Sequence, residues 1–96
     1  IPDYIKIDCE GAEYLILKDL ENSIKLISFE VNLPQYKIEG IKIVNSLSSK
    51  FDYEFNVRLQ DKHGFYYSKN TTSKELILFM GDQIISIEIF AFLKNN

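Results

Sequence analysis

Apolar residues along this chain change their spacing from strand-like to helix-like and back, and this alternation constrains the fold more than any other feature. Tyr4–Asp8 is a short apolar-rich run that stops at an acidic residue, as strands often do, and Leu26–Val31 repeats the pattern. The apolar residues after each run have helical spacing: Ala12, Leu15, Ile16 and Leu20 after the first, and Ile41, Val44 and Leu47 after the second. This order of elements predicts an α/β domain.

The clearest strand pattern lies in the second half of the chain. Over Tyr53–Leu59 apolar and polar residues alternate, which indicates a strand with one face in water. Asp61–Gly64 then predicts a turn. The aromatic run Phe65–Tyr67 predicts a short returning strand, which either packs in a hairpin or lines a pocket for a substrate.

The remaining residues leave one choice open. Thr72 followed by Glu75 is a capping box that would begin a helix ending at Met80, whereas Leu76–Met80 is also apolar enough for a strand. Ile84–Leu93 is a long final strand, and it can run antiparallel because it follows a hairpin-like return. Since the first three strands are joined by helical crossovers, the sheet is predicted to be mostly parallel with one antiparallel strand.

Composition and charge exclude several classes of function. The 96 residues are 46% hydrophobic and 26% charged, which is ordinary for one globular domain. The net charge is −3 and no basic run is present, so we expect no binding to nucleic acid or to a membrane. No apolar stretch reaches the roughly 18 to 20 residues that span a bilayer. Cys9 is the only cysteine, which predicts a reducing, cytoplasmic location.

Polar residues follow the first two predicted strands, namely Asp8 and Glu10 after the first, and Glu30 and Asn32 after the second. Because ligands bind beside the carboxyl ends of parallel strands, we expect all four at one rim of the sheet. A carboxylate there can accept a hydrogen bond from a hydroxyl or remove its proton. Two alternatives remain: Asp8 and Glu10 cap the following helix, and Glu30 and Asn32 are either a polar rim without metal or oxygen ligands for Mg²⁺.

The segment around the first strand resembles a known family signature. Asp3–Glu13 reads D-Y-I-K-I-D-C-E-G-A-E and is followed by Leu17-Lys18. It is similar to the D-x-x-K-I-D-x-E-G-x-E…L-K-G signature of the FkbM family of S-adenosylmethionine-dependent methyltransferases. Ile27–Val31 is similar to that family's next strand, and Phe51–Tyr53 resembles the G-Y opening of a later one. The residue after Leu17-Lys18 and the middle residue of Phe51–Tyr53 are aspartates where the family has glycine.

The resemblance implies a Rossmann-like class I methyltransferase sheet, of which residues 1–96 would be the C-terminal half only. The N-terminal half, which holds most of the cofactor, would be absent. The strands would be the fourth to seventh of seven, with Tyr53–Leu59 at the sheet edge and Ile84–Leu93 inserted beside it as the antiparallel strand. The four glycines lie far apart, so the chain lacks the glycine-rich turn with which such folds approach their cofactor.

The resemblance also implies a reaction and a set of roles. A methyl group would pass from S-adenosylmethionine to a hydroxyl of a sugar, a glycan or another small-molecule natural product. Asp8 and Glu10 would be catalytic, and Asp8 and Cys9 would contact the cofactor. Glu10, Glu30 and Asn32 would contact the acceptor, and no metal would take part.

A non-enzymatic role is the alternative. In that case the chain is an α/β interaction module, or a degenerate methyltransferase, that completes its sheet by pairing with another chain. Tyr4–Ile7 would be the open edge, and an exposed apolar edge favours pairing or self-association. Lys6 lies inside this strand, and we expect it to form an ion pair because a lysine in a sheet needs a partner.

Overall fold

The described structure consists of four strands and two helices. A computed structural model describes residues 4–8 and 24–94. Its elements are β1 (Tyr4–Asp8), β2 (Leu26–Asn32), α1 (Lys37–Lys50), β3 (Tyr53–Leu59), α2 (Ser73–Met80) and β4 (Ser86–Leu93). The strand predictions are confirmed for these four elements to within two residues. The helix predicted over residues 12–20 lies outside the described residues.

The four strands form one sheet in the order β1-β2-β4-β3. β1 and β2 are parallel, whereas β4 is antiparallel to both β2 and β3. β3 lies at one edge with β4 beside it, as predicted. The prediction of a mostly parallel sheet is wrong, because two of the three pairings are antiparallel. The reason is the position of β4: one reversed strand in the interior of a sheet makes an antiparallel pair on each side.

The hydrophobic core lies on one face of this sheet, which we call the inner face. Alternate residues of β2, β3 and β4 point into it together with residues of both helices. The fully buried large side chains are Phe29, Phe55, Ile27, Ile43, Leu47, Leu76, Met80, Ile87, Ile89, Val31 and Val44. Gly40 lets α1 approach β2 closely, since a Cβ atom there would lie 3.1 Å from Val31 Cγ1 and 2.8 Å from Met80 Cε. The other face of the sheet, the outer face, carries Tyr4, Lys6, Ser28, Glu30, Glu88, Phe90, Phe92 and Arg58.

The helix α2 has the ends that its sequence predicts. Thr72 is its N-cap and accepts a hydrogen bond from the Glu75 amide at 3.2 Å. The carboxylate of Glu75 accepts a second bond, from the Thr71 hydroxyl at 2.8 Å, so both side chains hold the first turn. The helical prediction is confirmed, and the strand alternative for Leu76–Met80 is excluded. The helices have 14 and 8 residues, and none in the described part of the chain could cross a membrane.

The outer edge of β3 is covered by the chain that follows it. Phe55 exchanges two backbone hydrogen bonds with Thr71, at 2.8 and 2.6 Å, and the Val57 carbonyl accepts one from the Tyr66 amide at 2.7 Å. The strand predicted for Phe65–Tyr67 is therefore wrong. This segment reaches the β3 edge with only one backbone–backbone bond, and its other hydrogen bonds to β3 are those between Tyr67 and the Asn56 side chain.

Asn56 is a polar residue of β3 that is only 2% exposed. Its Oδ1 accepts from the amides of Val57 and Tyr67, at 2.9 and 3.2 Å. Its Nδ2 donates to the Tyr67 carbonyl and to Asn70 Oδ1, at 3.1 and 3.0 Å. The side-chain amide thus acts as a substitute for a neighbouring strand, and the pattern prediction that this position faces water is wrong.

The other end of the sheet is held by a buried tyrosine. Tyr53 donates its hydroxyl hydrogen to the Ile24 carbonyl at 2.6 Å and accepts from the Ile24 amide at 3.0 Å. Burial raises the pKa of Tyr53 above its ordinary value, and the hydrogen bond from Ile24 opposes this shift. The contact joins the start of β3 to the residues just before β2.

Candidate functional site

The carboxyl ends of β1 and β2 meet at one rim of the sheet, as predicted from the sequence. Asp8 is in register with Glu30, Glu30 with Glu88, and Glu88 with Arg58. One row across all four strands therefore holds three acidic residues and one arginine. Like charges on directly opposite residues are destabilising, so this row needs compensation.

Two cations supply that compensation at Glu88. Its carboxylate is 11% exposed, and it contacts Arg58 Nη2 through Oε1 and Lys6 Nζ through Oε2, the latter at 3.7 Å. Lys6 reaches it from β1 across β2, where the small, buried Ser28 lies in the intervening position. The expectation that Lys6 forms an ion pair is confirmed. Among the described residues no cation contacts Glu30, whose side chain is exposed.

The next row adds neutral polar groups. The Ser86 hydroxyl hydrogen-bonds Asn32 Oδ1 across the β2–β4 pair. The Gln60 amide donates to the Ser86 carbonyl at 3.1 Å, and the Ser86 amide donates weakly to Gln60 Oε1 at 3.4 Å. These contacts fix the positions of a hydroxyl and two carboxamides beside the charged row.

A cavity of about 210 Å³ opens at this rim. Its lining residues come from the ends of β2, β3 and β4 and from the turn after β3: Glu30, Arg58, Leu59, Gln60, Asp61, Lys62, Ser86, Ile87 and Glu88. Acceptors and donors of hydrogen bonds therefore both line the opening. This arrangement fits a neutral ligand that carries several hydroxyls, since each hydroxyl can both donate and accept.

The structure brings together some of the residues that the sequence singled out. Glu30 lines the cavity, Asn32 lies beside it through Ser86, and Asp8 is the register neighbour of Glu30. Cys9 and Glu10 lie outside the described residues, and so do the catalytic and cofactor roles that depend on them. Phe65–Tyr67 does not line this cavity.

Sequence reasoning missed four members of the site, namely Arg58, Gln60, Ser86 and Glu88. Two of them carried a readable signal. Arg58 is the last polar residue of the alternating strand, and Glu88 interrupts the apolar run of the next strand. Both positions point away from the core by the period of two, but only the pairing of β3 with β4 places them opposite each other.

The comparison with protein families identifies the class. The methyltransferase FkbM domain family matches residues 1–83. The chain belongs to this family. No curated protein and no solved structure matches it.

The FkbM match confirms the resemblance found in the sequence and supports methyltransferase activity in general. The matched residues include Glu30 and Arg58 of the cavity. β4 begins after the match ends, yet its Glu88 completes the row of charges and its Ser86 holds Asn32. The rim of this FkbM chain is thus assembled from the matched region and from the strand that follows it.

Other groups of the FkbM chain lie away from the rim. Phe65 packs on Phe90 and Phe92 of the outer face, with ring centroids 5.1 and 5.9 Å apart. Tyr67 packs against Tyr66 and Phe79, and burial raises the pKa of Tyr67, with smaller contributions from Tyr66 and Glu75. Among residues 4–8 and 24–94, no cluster of three or more His, Cys, Asp or Glu side chains could hold a metal ion.

Proposed function

We propose that this chain is part of an S-adenosylmethionine-dependent O-methyltransferase that methylates a hydroxyl of a polyhydroxylated acceptor, such as a sugar, a glycan or another natural product. The observation that carries the proposal is the cavity at the rim of the sheet where β2 and β3 end and β4 begins, in a chain of the FkbM family. Carboxylate, guanidinium, carboxamide and hydroxyl groups surround it, and these are the groups that bind hydroxyls.

The chain's residues have two tasks in such a reaction. S-adenosylmethionine, when bound, supplies a methyl group on a positively charged sulfur, and that sulfur keeps the electron pair of the bond that breaks. The acceptor oxygen must approach the methyl carbon in line with this bond, so orientation contributes most of the rate. The hydroxyl proton must also leave the oxygen, and a carboxylate can take it.

We assign these tasks to the acids at the rim. Asp8 and Glu10 are proposed as the catalytic carboxylates that hold the reacting hydroxyl and receive its proton. Glu30 and Asn32 are proposed, together with Glu10, to orient the acceptor. The exposed position of Glu30 in the lining of the cavity supports this assignment.

The described residues fit the acceptor better than the cofactor. They provide oxygen and nitrogen groups of side chains, whereas class I cofactor sites need backbone amides from a glycine-rich turn. We propose that Asp8 and Cys9 make a minority of the cofactor contacts and that additional strands of a longer protein make the rest. The β1 edge, which has no neighbouring strand among the described residues, supports this arrangement.

The test is methyl transfer by the full-length protein, in the cytoplasm-like reducing conditions that we expect for it. We expect transfer of a labelled methyl group from S-adenosylmethionine to hydroxyls of methyl glycosides or of hydroxylated natural products. Glu10→Gln and Asp8→Asn should each lower kcat by about 10²-fold, the lower end of what a positioned acid or base contributes. Glu39→Gln in the first turn of α1, outside the lining of the cavity, is the control. A full-length protein that binds no S-adenosylmethionine would overturn the proposal.

An interaction module is the second candidate, and the exposed β1 edge is the observation that favours it. Tyr4 is 47% exposed there, and the backbone of β1 pairs on one side only within the described residues. In this case the purified protein should form a defined dimer or complex without binding cofactor. Sedimentation velocity with and without S-adenosylmethionine separates the two candidates.

A further inference from the structure

The guanidinium of Arg58 is held in a defined position at the mouth of the cavity. Its Nη2 contacts Glu88, and its Cζ lies 5.6 Å from the centroid of the Phe90 ring. The ion pair and the cation–π contact restrain the group from two directions. Its side chain is nevertheless 47% exposed, so part of the group faces the solvent of the cavity.

Among the described residues, the contacts of Arg58 leave most of its hydrogen-bonding capacity unused. A guanidinium has five N–H donors in a fixed fork, and a carboxylate contact through one nitrogen uses the smaller part of them. Arg58 and Glu30 both line the cavity, two strands apart in the same row with Glu88 between them. The cavity is therefore lined by a donor and by an acceptor.

Glu88 determines where this donor points. Its carboxylate is nearly buried and is contacted on one oxygen by Lys6 from β1 and on the other by Arg58 from β3. These contacts limit how far the carboxylate can rotate, the closer one to Arg58 more than the long one to the exposed Lys6, so Glu88 restrains Arg58 relative to β4 as well as to its own strand. The arginine thus has a built support rather than a single surface contact.

We propose that Arg58 is a specificity-determining residue for the acceptor and that Glu88 is its positioning residue. Arg58 donates a hydrogen bond to an oxygen of the substrate that lies next to the hydroxyl to be methylated. Glu30 accepts a hydrogen bond from a hydroxyl adjacent to that oxygen. Two such contacts on adjacent oxygens orient a small ring in the cavity. The cavity volume is below the range of about 300–1,000 Å³ that encloses drug-sized ligands, so it holds one ring of a larger acceptor.

This inference rests on the proposed function, and the experiment keeps the two apart. The full-length protein is titrated with methyl hexopyranosides in the presence of S-adenosylhomocysteine, and binding is followed by the NMR signals of the Arg58 side chain and of the backbone of residues 58–62 and 86–88. Methyl transfer to the same glycosides, and to their monodeoxy analogues, is measured in parallel. The variants are Arg58→Lys and Glu88→Gln.

Glu54→Gln is the matched control, since Glu54 is a carboxylate on the same face of the sheet with a side-chain partner, Asn70, at 2.9 Å. It lies toward the other end of β3 and does not line the cavity. Arg58→Lys keeps the charge but loses the fork. We expect it to raise the KM for the glycoside at least tenfold while kcat and the KM for S-adenosylmethionine change less than threefold.

Discrimination between a glycoside and its deoxy analogue gives the decisive result. The wild-type protein and Glu54→Gln should prefer the acceptor with the adjacent hydroxyl, and Arg58→Lys should lose that preference. Glu88→Gln should show a smaller loss in the same direction, together with broader Arg58 side-chain signals. An unchanged preference in Arg58→Lys, or glycoside-induced shifts away from the cavity, would overturn the inference.

The outcomes separate the two levels of the argument. Methyl transfer that is equal in the wild type and Arg58→Lys leaves the methyltransferase proposal standing and removes the role of Arg58. A second outcome is glycoside binding at the cavity that depends on Arg58, without methyl transfer to any hydroxyl. It would support the contact between Arg58 and the glycoside and overturn the proposed reaction. Absence of both binding and transfer with every glycoside overturns the role of Arg58 as well.

Discussion

The two edges of the sheet differ in what covers them. At the β3 edge, the backbone of Phe55 and Val57 finds partners in Thr71, Tyr66 and the side chain of Asn56. At the β1 edge, no strand lies alongside within residues 4–8 and 24–94. One edge is thus closed by the segment that directly follows its strand, and no described residue forms a strand along the outer side of the other.

This difference indicates that the sheet ends at β3, whereas it can be extended at β1. Closing the β3 edge takes a buried asparagine with four hydrogen bonds, and a buried polar group of this kind is stable only when all its bonds are made. Within the part of the chain that the structure describes, β1 carries no comparable feature, and an edge without a neighbouring strand favours a further one. We therefore expect changes at the β3 edge to affect the stability of the fold far more than changes at β1.

Replacing Asn56 by leucine should break the closed edge and have the largest effect. The amides of Val57 and Tyr67 and the Tyr67 carbonyl lose their partner, and each such buried group costs about 1–3 kcal/mol. Because some of them will reach water, we expect a loss of about 3 kcal/mol in the free energy of unfolding, measured in urea. Asn45→Leu on the exposed side of α1 is the control, and a loss below 1 kcal/mol would contradict the role of Asn56.

Replacing Tyr53 by phenylalanine tests the contact that joins the two sides of the sheet. The Ile24 amide and carbonyl are left without their partner, which should lower the free energy of unfolding by about 2 kcal/mol. Thermal or urea unfolding at pH 7 measures it. An unchanged free energy of unfolding would mean that the Ile24 amide and carbonyl find other hydrogen-bond partners.

The same variant carries a pH dependence. Burial raises the pKa of Tyr53 in the folded protein, so this residue contributes stability that is present below the ordinary tyrosine value of about 10. That contribution is lost as the pH rises through the higher pKa of the folded state. As the pH is raised above 9, the free energy of unfolding of Tyr53→Phe should fall less steeply than that of the wild type. Tyr67, whose pKa is also raised, should account for part of the pH dependence that remains in the variant.

Replacing Thr72 by alanine should have a smaller effect, because it loosens only the helix behind the closed edge. The Glu75 amide loses its cap, which typically costs about 1 kcal/mol. Thr72→Ser keeps the hydroxyl and should recover most of that stability in the same urea titration. Equal losses in both variants would show that the methyl group of Thr72, rather than its cap, matters.

Replacing Lys6 by methionine at the uncovered side should have the smallest effect. Its ion pair with Glu88 is long and its side chain is 57% exposed, so water already screens the charge. We expect the free energy of unfolding to fall by no more than about 0.5 kcal/mol. A loss above 1 kcal/mol would mean that β1 is held as firmly as β3, and the contrast between the edges would be wrong.

The sequence predicts the positions of the strands and helices well, and it predicts less well which strands pair with each other. The spacing of apolar residues locates all four described strands, and Thr72 with Glu75 locates α2, because these signals act over a few residues. The pairing of β4 with both β2 and β3 depends on contacts between residues more than 25 positions apart along the chain, and the local spacing of apolar residues does not predict such contacts. The burial of Asn56 was missed for a different reason, since its partners Tyr67 and Asn70 belong to a loop without regular structure.

The candidate site divides along the same line. Glu30 and Asn32 could be found because they end a strand, and the family signature drew attention to Asp8. Glu88 and Arg58 became visible only when antiparallel pairing placed them opposite each other. Residues of a site that come from a reversed strand leave no common motif in the sequence.

The interior position of β4 also has a consequence for biosynthesis. β4 is the last described strand to leave the ribosome, and chains emerge at about 5–20 residues per second. Until it arrives, β2 and β3 have no backbone pairing with each other, because each of them bonds to β4 in the space between. The nascent chain therefore exposes apolar residues of two strands for the whole time that residues 60–93 are being translated. We expect a chaperone to bind the chain most strongly during this interval.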